Sequence, residues 1–205
     1  MESDPELLST SKLHKRLMNK AVHYLGRYQA SQKRLRQILQ QFARRKLNQP
    51  SQTNHYSDDE ISAAIEQVIS LCLRYGYIDD SALALSRARS SVQAGQSAYQ
   101  LAGKLRQMGL AQDMRAKALR ARSDDHQHAE KAAALRAMRK KRLGPFHPDY
   151  DNLAFEDQQK QLAKLARLGF SADLIRQILA IPTPQEAELA LEQAEAPAQD
   201  SIRGL

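Results

Sequence analysis

The residues of this chain best placed to do chemistry are its cations. Eleven lysines and arginines lie between Leu7 and Ser57, a stretch with no aspartate or glutamate, and fourteen more lie between Arg87 and Arg142 against four acids. Beyond Leu143 the balance reverses to ten acids and five bases, so the net charge of +8 is concentrated upstream. Cations without compensating acids attract polyanions, and nucleic acid is the obvious one. The basic residues that fall off the apolar stripes are Lys33, Arg34, Arg36, Arg44, Arg45, Arg87, Arg89, Lys104, Arg106, Arg115, Lys117, Arg139, Lys140 and Arg142, and these are the candidate contacts. The competing reading, charge on merely solvated helix faces, fits less well because such faces usually carry acids too.

Other groupings point away from catalysis. His126-Gln127-His128 beside Asp124-Asp125 is the only cluster with metal-ligand residue types, but side chains two apart on a helix do not face each other, so no metal is expected. Asp79-Asp80 stands between a helix stop and a helix start, which suits capping better than acid–base work. Tyr75 and Tyr77 have the right rings to stack on nucleobases, yet their place around Gly76 predicts core packing. There is no nucleophile elbow, phosphate-cradling glycine loop or paired thiol, so neither an enzyme activity nor a cofactor is expected. The single Cys72 excludes an internal disulfide and continues the stripe Ile61, Ile65, Val68 as a small core residue. That usage, acidic residues at Glu2, Asp4 and Glu6 where a signal peptide would be basic, and the lack of a membrane-spanning apolar run predict a cytoplasmic protein.

Helices must position these groups, because alanine, leucine, glutamine and arginine dominate and no period-two run of branched residues suggests a strand. Lys104 to Met114 and Lys164 to Leu174 read as copies of one another. Each is a helix with apolar teeth, Leu105 and Met108 or Leu165 and Leu168, stopped by Gly109 or Gly169 and followed by a helix with Asp113 or Asp173 in its first turn. A fainter relative lies upstream in Leu35, Ile38, Leu39 and Phe42. Further signals are an apolar stripe Leu13, Leu17, Ala21, Tyr24, Tyr28, a cap at Ser31, a capping box at Ser57-Asp58-Asp59-Glu60, and loops at Asn48 to Tyr56 and Gly144 to Asn152. Ser123-Asp124-Asp125 is read as opening an alanine-rich helix, and Phe155, Leu162 and Leu165 as resuming the helical period. The expected architecture is all-α: nine principal helices as a tandem array of three three-helix modules at 12–78, 79–122 and 123–181. Residues 1–11 are expected to be flexible and 182–205 to form an acidic, disordered tail.

On Tyr75-Gly76-Tyr77-Ile78-Asp79-Asp80, the two glycine-stopped helices, and Tyr24-Leu25, Arg27, Ser31, Leu35-Arg36 and Leu39, the chain resembles the RecX family, bacterial regulators of the RecA recombinase. The likeness runs from about Lys20 to Ile181. It implies an elongated, curved stack of modules that lies in the groove of the RecA filament and restrains it, as a monomer without enzymatic activity, in DNA repair, recombination and the SOS response. The implied partners are RecA and the RecA–DNA filament, with single-stranded DNA bound directly but more weakly. Where family members commonly have an arginine and an aromatic residue after the aspartate pair, this chain has Ala82 and Leu83, and Arg87, Arg89, Lys104 and Arg106 are the nearest cations to take that place. The alternative reading is a basic helical DNA-binding protein acting alone, of helix-turn-helix type or non-specific. A helix-turn-helix repressor, however, concentrates its base-reading side chains on one recognition helix.

Overall fold

The computed structural model describes residues 5–46, 56–124 and 128–195. Among them every regular element is helical, ten α-helices and two 3-10 turns, in two compact units that divide between Leu83 and Ala84.

The first unit holds α1 (Pro5–Leu25), α2 (Gln32–Lys46) and α3 (Asp58–Arg74). Its core is the meeting of three stripes: Leu13, Leu17 and Ala21 from α1, Leu35, Leu39 and Ala43 from α2, and Ile61, Ile65, Val68 and Cys72 from α3. Spacings of three and four residues put each set on one face, and burying a large aliphatic side chain contributes about 1.5–3 kcal/mol. The α1 stripe stops sooner than expected. Its helix ends before Gly26, so Tyr28 leaves the period and stands 59% exposed. The capping box at α3 is present: the Ser57 hydroxyl accepts from the Glu60 N–H at 3.2 Å, and the Glu60 carboxylate accepts from the Ser57 N–H at 2.6 Å. The loop expected from Asn48 lies, up to His55, outside the described residues.

The turn after α3 corrects one expectation. Gly76 takes a φ of +70°, and the Tyr77 and Ile78 N–H groups both return to the Cys72 carbonyl. This turn offers one inward position, which Ile78 fills. Tyr75 and Tyr77 are not core residues but stand 62% and 53% exposed, their ring centroids 6.1 Å apart. Of the aspartate pair, Asp79 caps α4 (Asp80–Gln93) by accepting from the Ala82 N–H at 2.9 Å. Asp80 reaches instead to α2, accepting from the Gln32 N–H at 3.0 Å beside the buried cap Ser31.

The second unit continues through α4, α5 (Ala98–Gln107), α6 (Gln112–Asp124), α7 (Ala129–Lys141), α8 (Phe155–Arg167), α9 (Ala172–Leu179) and α10 (Pro184–Glu195). It has two apolar clusters. One joins Ala84 and Ala88 of α4 to Leu101, Leu105, Leu110 and Ala118, and the other surrounds the alanine-rich α7. The sequence repeat is a structural repeat: Gly109 and Gly169 have φ of +77° and +84°, and Leu110 and Phe170 donate back to the carbonyls of Leu105 and Leu165. All four of those apolar residues are buried.

Two expectations fail here, at the start of α7 and in the segment after Pro182. Ser123 and Asp124 close α6 rather than open α7, because α6 must continue far enough to place Arg122. That arginine is 3% exposed, paired with Glu130 at 2.8 Å, and donates to the Ser91 hydroxyl and the Gln96 carbonyl. Phe155 opens α8, where the helical period is expected to resume, and stands 73% exposed. The segment 184–195, expected to be a mobile tail, is a tenth helix whose Ala187, Leu191 and Ala194 pack into the α7 cluster. Residues 196–205 lie outside the described residues.

Candidate polyanion-binding surface

On α2 the helical period sorts cations from core. Lys33, Arg34, Arg44 and Arg45 are all exposed on the face opposite Leu35, Leu39 and Ala43, and eleven residues bring Arg44 back beneath Lys33 after about three turns, some 16 Å along the axis. No acid shares this helix. Arg36 lies at the margin of the core, where its guanidinium binds both carboxylate oxygens of Glu66 at 2.6 and 2.8 Å. That bond holds the Glu66 carboxyl below its ordinary range, so Arg36 is an engaged cation.

In the second unit Arg87 and Arg89 on α4, Lys104 and Arg106 on α5 and Lys117 on α6 are exposed. Arg115 is half-buried, its Nε enclosed and without a hydrogen-bond partner among the described residues. At the end of α7 Lys140 and Arg142 are exposed, while Arg139 pairs with Glu188 of α10 at 2.8 Å. In sequence Arg122 is one more basic residue of α6, yet burial makes it a structural tie. Glu130, its partner, also accepts from the Ala98 N–H at 3.1 Å, so α6, α7 and the start of α5 share one network.

Sequence reasoning missed a basic cleft of about 670 Å³ between the end of α7, the segment that follows it and α8. Lys141 and Arg142 line it from the end of α7 and Lys160 and Lys164 from α8, together with His147 and the carboxylates Asp149 and Asp157. The walls are tied by Gln161, only 5% exposed, which accepts from the Gly144 N–H at 2.6 Å. Of its cations only Arg142 is among the candidates read from the sequence, because the α8 lysines sit among acids. Of the cluster with metal-ligand residue types, at which no metal is expected, Asp125, His126 and Gln127 lie outside the described residues and His128 is exposed. Among the described residues no group of three His, Cys, Asp or Glu could hold a metal, and no helix is long and apolar enough to cross a membrane.

No protein-family model matches the chain. The regulatory protein RecX of Myxococcus xanthus is 32% identical over 163 residues, spanning 80% of this chain and 83% of that protein. The crystal structure of RecX from Lactobacillus salivarius matches with a TM-score of 0.58 at 19% identity, covering 87% of this chain and 99% of that one, and so has the same helical fold. Identity at the first level, sustained along most of both chains, places this protein in the RecX family.

Proposed function

We propose that this RecX-family protein binds RecA nucleoprotein filaments in the cytoplasm as a monomer and lowers their strand-exchange, ATPase and coprotease activities, binding single-stranded DNA directly but more weakly. The observation that carries the reading is the extended identity to a regulatory protein RecX. The acid-free outer face of α2 and the exposed cations of α4 to α7 support it, since a nucleoprotein filament is a dense polyanion. The protein regulates by binding and turns nothing over. Its working parts are three modules at 12–78, 79–122 and 123–181, the last extended by α10, a reading supported by the presence of three apolar clusters, although Val92 of the second module packs into the cluster of the third.

The second reading, a DNA-binding protein acting alone, is favoured by the α2 face, which suits a phosphate backbone without RecA. Capture of the full chain from native cell extract, with and without nuclease, separates the two. RecA retained after nuclease is the expected result. Its loss on nuclease treatment would favour plain DNA binding.

A further inference from the structure

The cleft beside α7 and α8 carries features that helix solvation does not explain. Lys160 and Lys164 are four residues apart on one face of α8, an arrangement in which like charges repel. Arg142 is the only non-glycine residue among those described with a positive φ, +52°, in the place where a helix end favours glycine. Two local costs thus meet at one concavity, a pattern that strained residues show at functional sites. Asp157 absorbs part of the charge: it pairs with Lys160 at 2.8 Å, and that bond, with the nearby charges of Lys160, His147 and Lys164, holds its carboxyl below the ordinary range. Lys141, Arg142 and Lys164 remain, with no ion-pair partner among the described residues. The volume of about 670 Å³ lies within the roughly 300–1,000 Å³ of ligand sites, and a lining with Lys141, Arg142, Lys160 and Lys164 against Asp149 and Asp157 keeps an excess of cations that suits an anion rather than an apolar molecule. Phe155, which follows the lining residue Ala154 in sequence, presents a 73% exposed ring, and cations together with exposed aromatic rings are how proteins hold nucleotides of a single strand.

We propose that this cleft is a nucleotide phosphate site, with Lys141, Arg142 and Lys164 holding the phosphate and Phe155 giving the base a stacking face. It rests on the reading that the basic surface meets nucleic acid, and it adds Lys141, Lys164 and Phe155 to Arg142 of the set visible in sequence. The phosphate can come from a DNA strand or from a free nucleotide, and the test separates them. A short labelled oligothymidylate is titrated with the full chain by fluorescence anisotropy at several salt concentrations, with free thymidine triphosphate as competitor. The double variant Lys141→Gln, Lys164→Gln is expected to bind roughly tenfold more weakly with a salt slope shallower by about 1.4, as for two lost phosphate contacts on a single strand. Phe155→Ala is expected to lose roughly tenfold without a change of slope, and Lys164→Arg to retain binding. Insensitivity to the triphosphate assigns the site to the strand, and displacement by it assigns the site to free nucleotide. Either supports the site. Wild-type affinity and slope in the double variant would overturn it while leaving the RecA reading intact. Failure of the wild type to bind either probe would overturn it too, and the RecA reading would then be judged by RecA capture alone.

Discussion

Asp80 shows how one side chain serves two elements at a cost. It opens α4, where the positive end of the helix dipole suits a carboxylate, and it accepts from the Gln32 N–H at the start of α2. Burial nevertheless pushes its pKa up, with repulsion from Asp79 adding to the rise and the Gln32 bond opposing it. The folded chain therefore holds the Asp80 proton more tightly than the unfolded chain, and stability falls as pH rises from the ordinary carboxylate range through the raised value. Asp80→Asn keeps an oxygen for Gln32 and removes the buried charge, so at neutral pH it is expected to be at least as stable as the wild type and to lose this pH dependence. Asp80→Ala is expected to cost about 1 kcal/mol, as for a lost cap. Urea unfolding at acid and neutral pH checks both, and Asp80→Asn proving less stable than Asp80→Ala would contradict this account. The sequence reading recognised the aspartate pair as caps. It had no access to the second partner, because Gln32 lies 48 residues away and nothing local announces it.

At the scale of elements, helix ends were legible and helix faces only partly so. Glycine stops and capping boxes depend on a few adjacent residues, and Gly76, Gly109, Gly169 and Ser57 all act as expected. Exposure depends on what packs opposite, which is why Tyr75 and Tyr77 were assigned to the core wrongly. The helix α10 was overlooked although its signal was present. Thr183 caps it by accepting from the Glu186 N–H at 3.2 Å, and its buried face is Ala187, Leu191 and Ala194, a stripe with one large residue. Such a stripe works because α7 is equally rich in alanine and lets backbones approach. The same closeness governs Gly95, where an added Cβ would lie 2.8 Å from the Ala137 nitrogen and 3.0 Å from its Cα. Gly95→Ala and Gly76→Ala meet the same left-handed backbone, φ +68° and +70°, but Gly76 faces open space. Gly76→Ala is expected to cost about 1 kcal/mol and Gly95→Ala about 2–4 kcal/mol, the difference being overpacking against backbone. Equal losses in urea unfolding would show that α7 yields and that the close approach is not rigid.

At the scale of the whole molecule, the candidate basic residues are divided between both units and across five helices, α2 and α4 to α7. On the filament reading, a chain with several such faces engages more than one RecA protomer, and each later contact is effectively intramolecular. Such a ligand inhibits by preferring one filament state over the cycling that turnover requires, and it has no need to enter the nucleotide pocket. The family and the helical architecture could be read from the sequence because they rest on local signals repeated along the chain. The cleft could not, because it is made by residues from α7 and α8 that come together only in the fold. The most direct test of the central claim is RecA ATPase activity on single-stranded DNA, titrated with the full chain. Inhibition is expected at far less than one molecule per RecA protomer, and no inhibition at saturation would contradict a filament regulator.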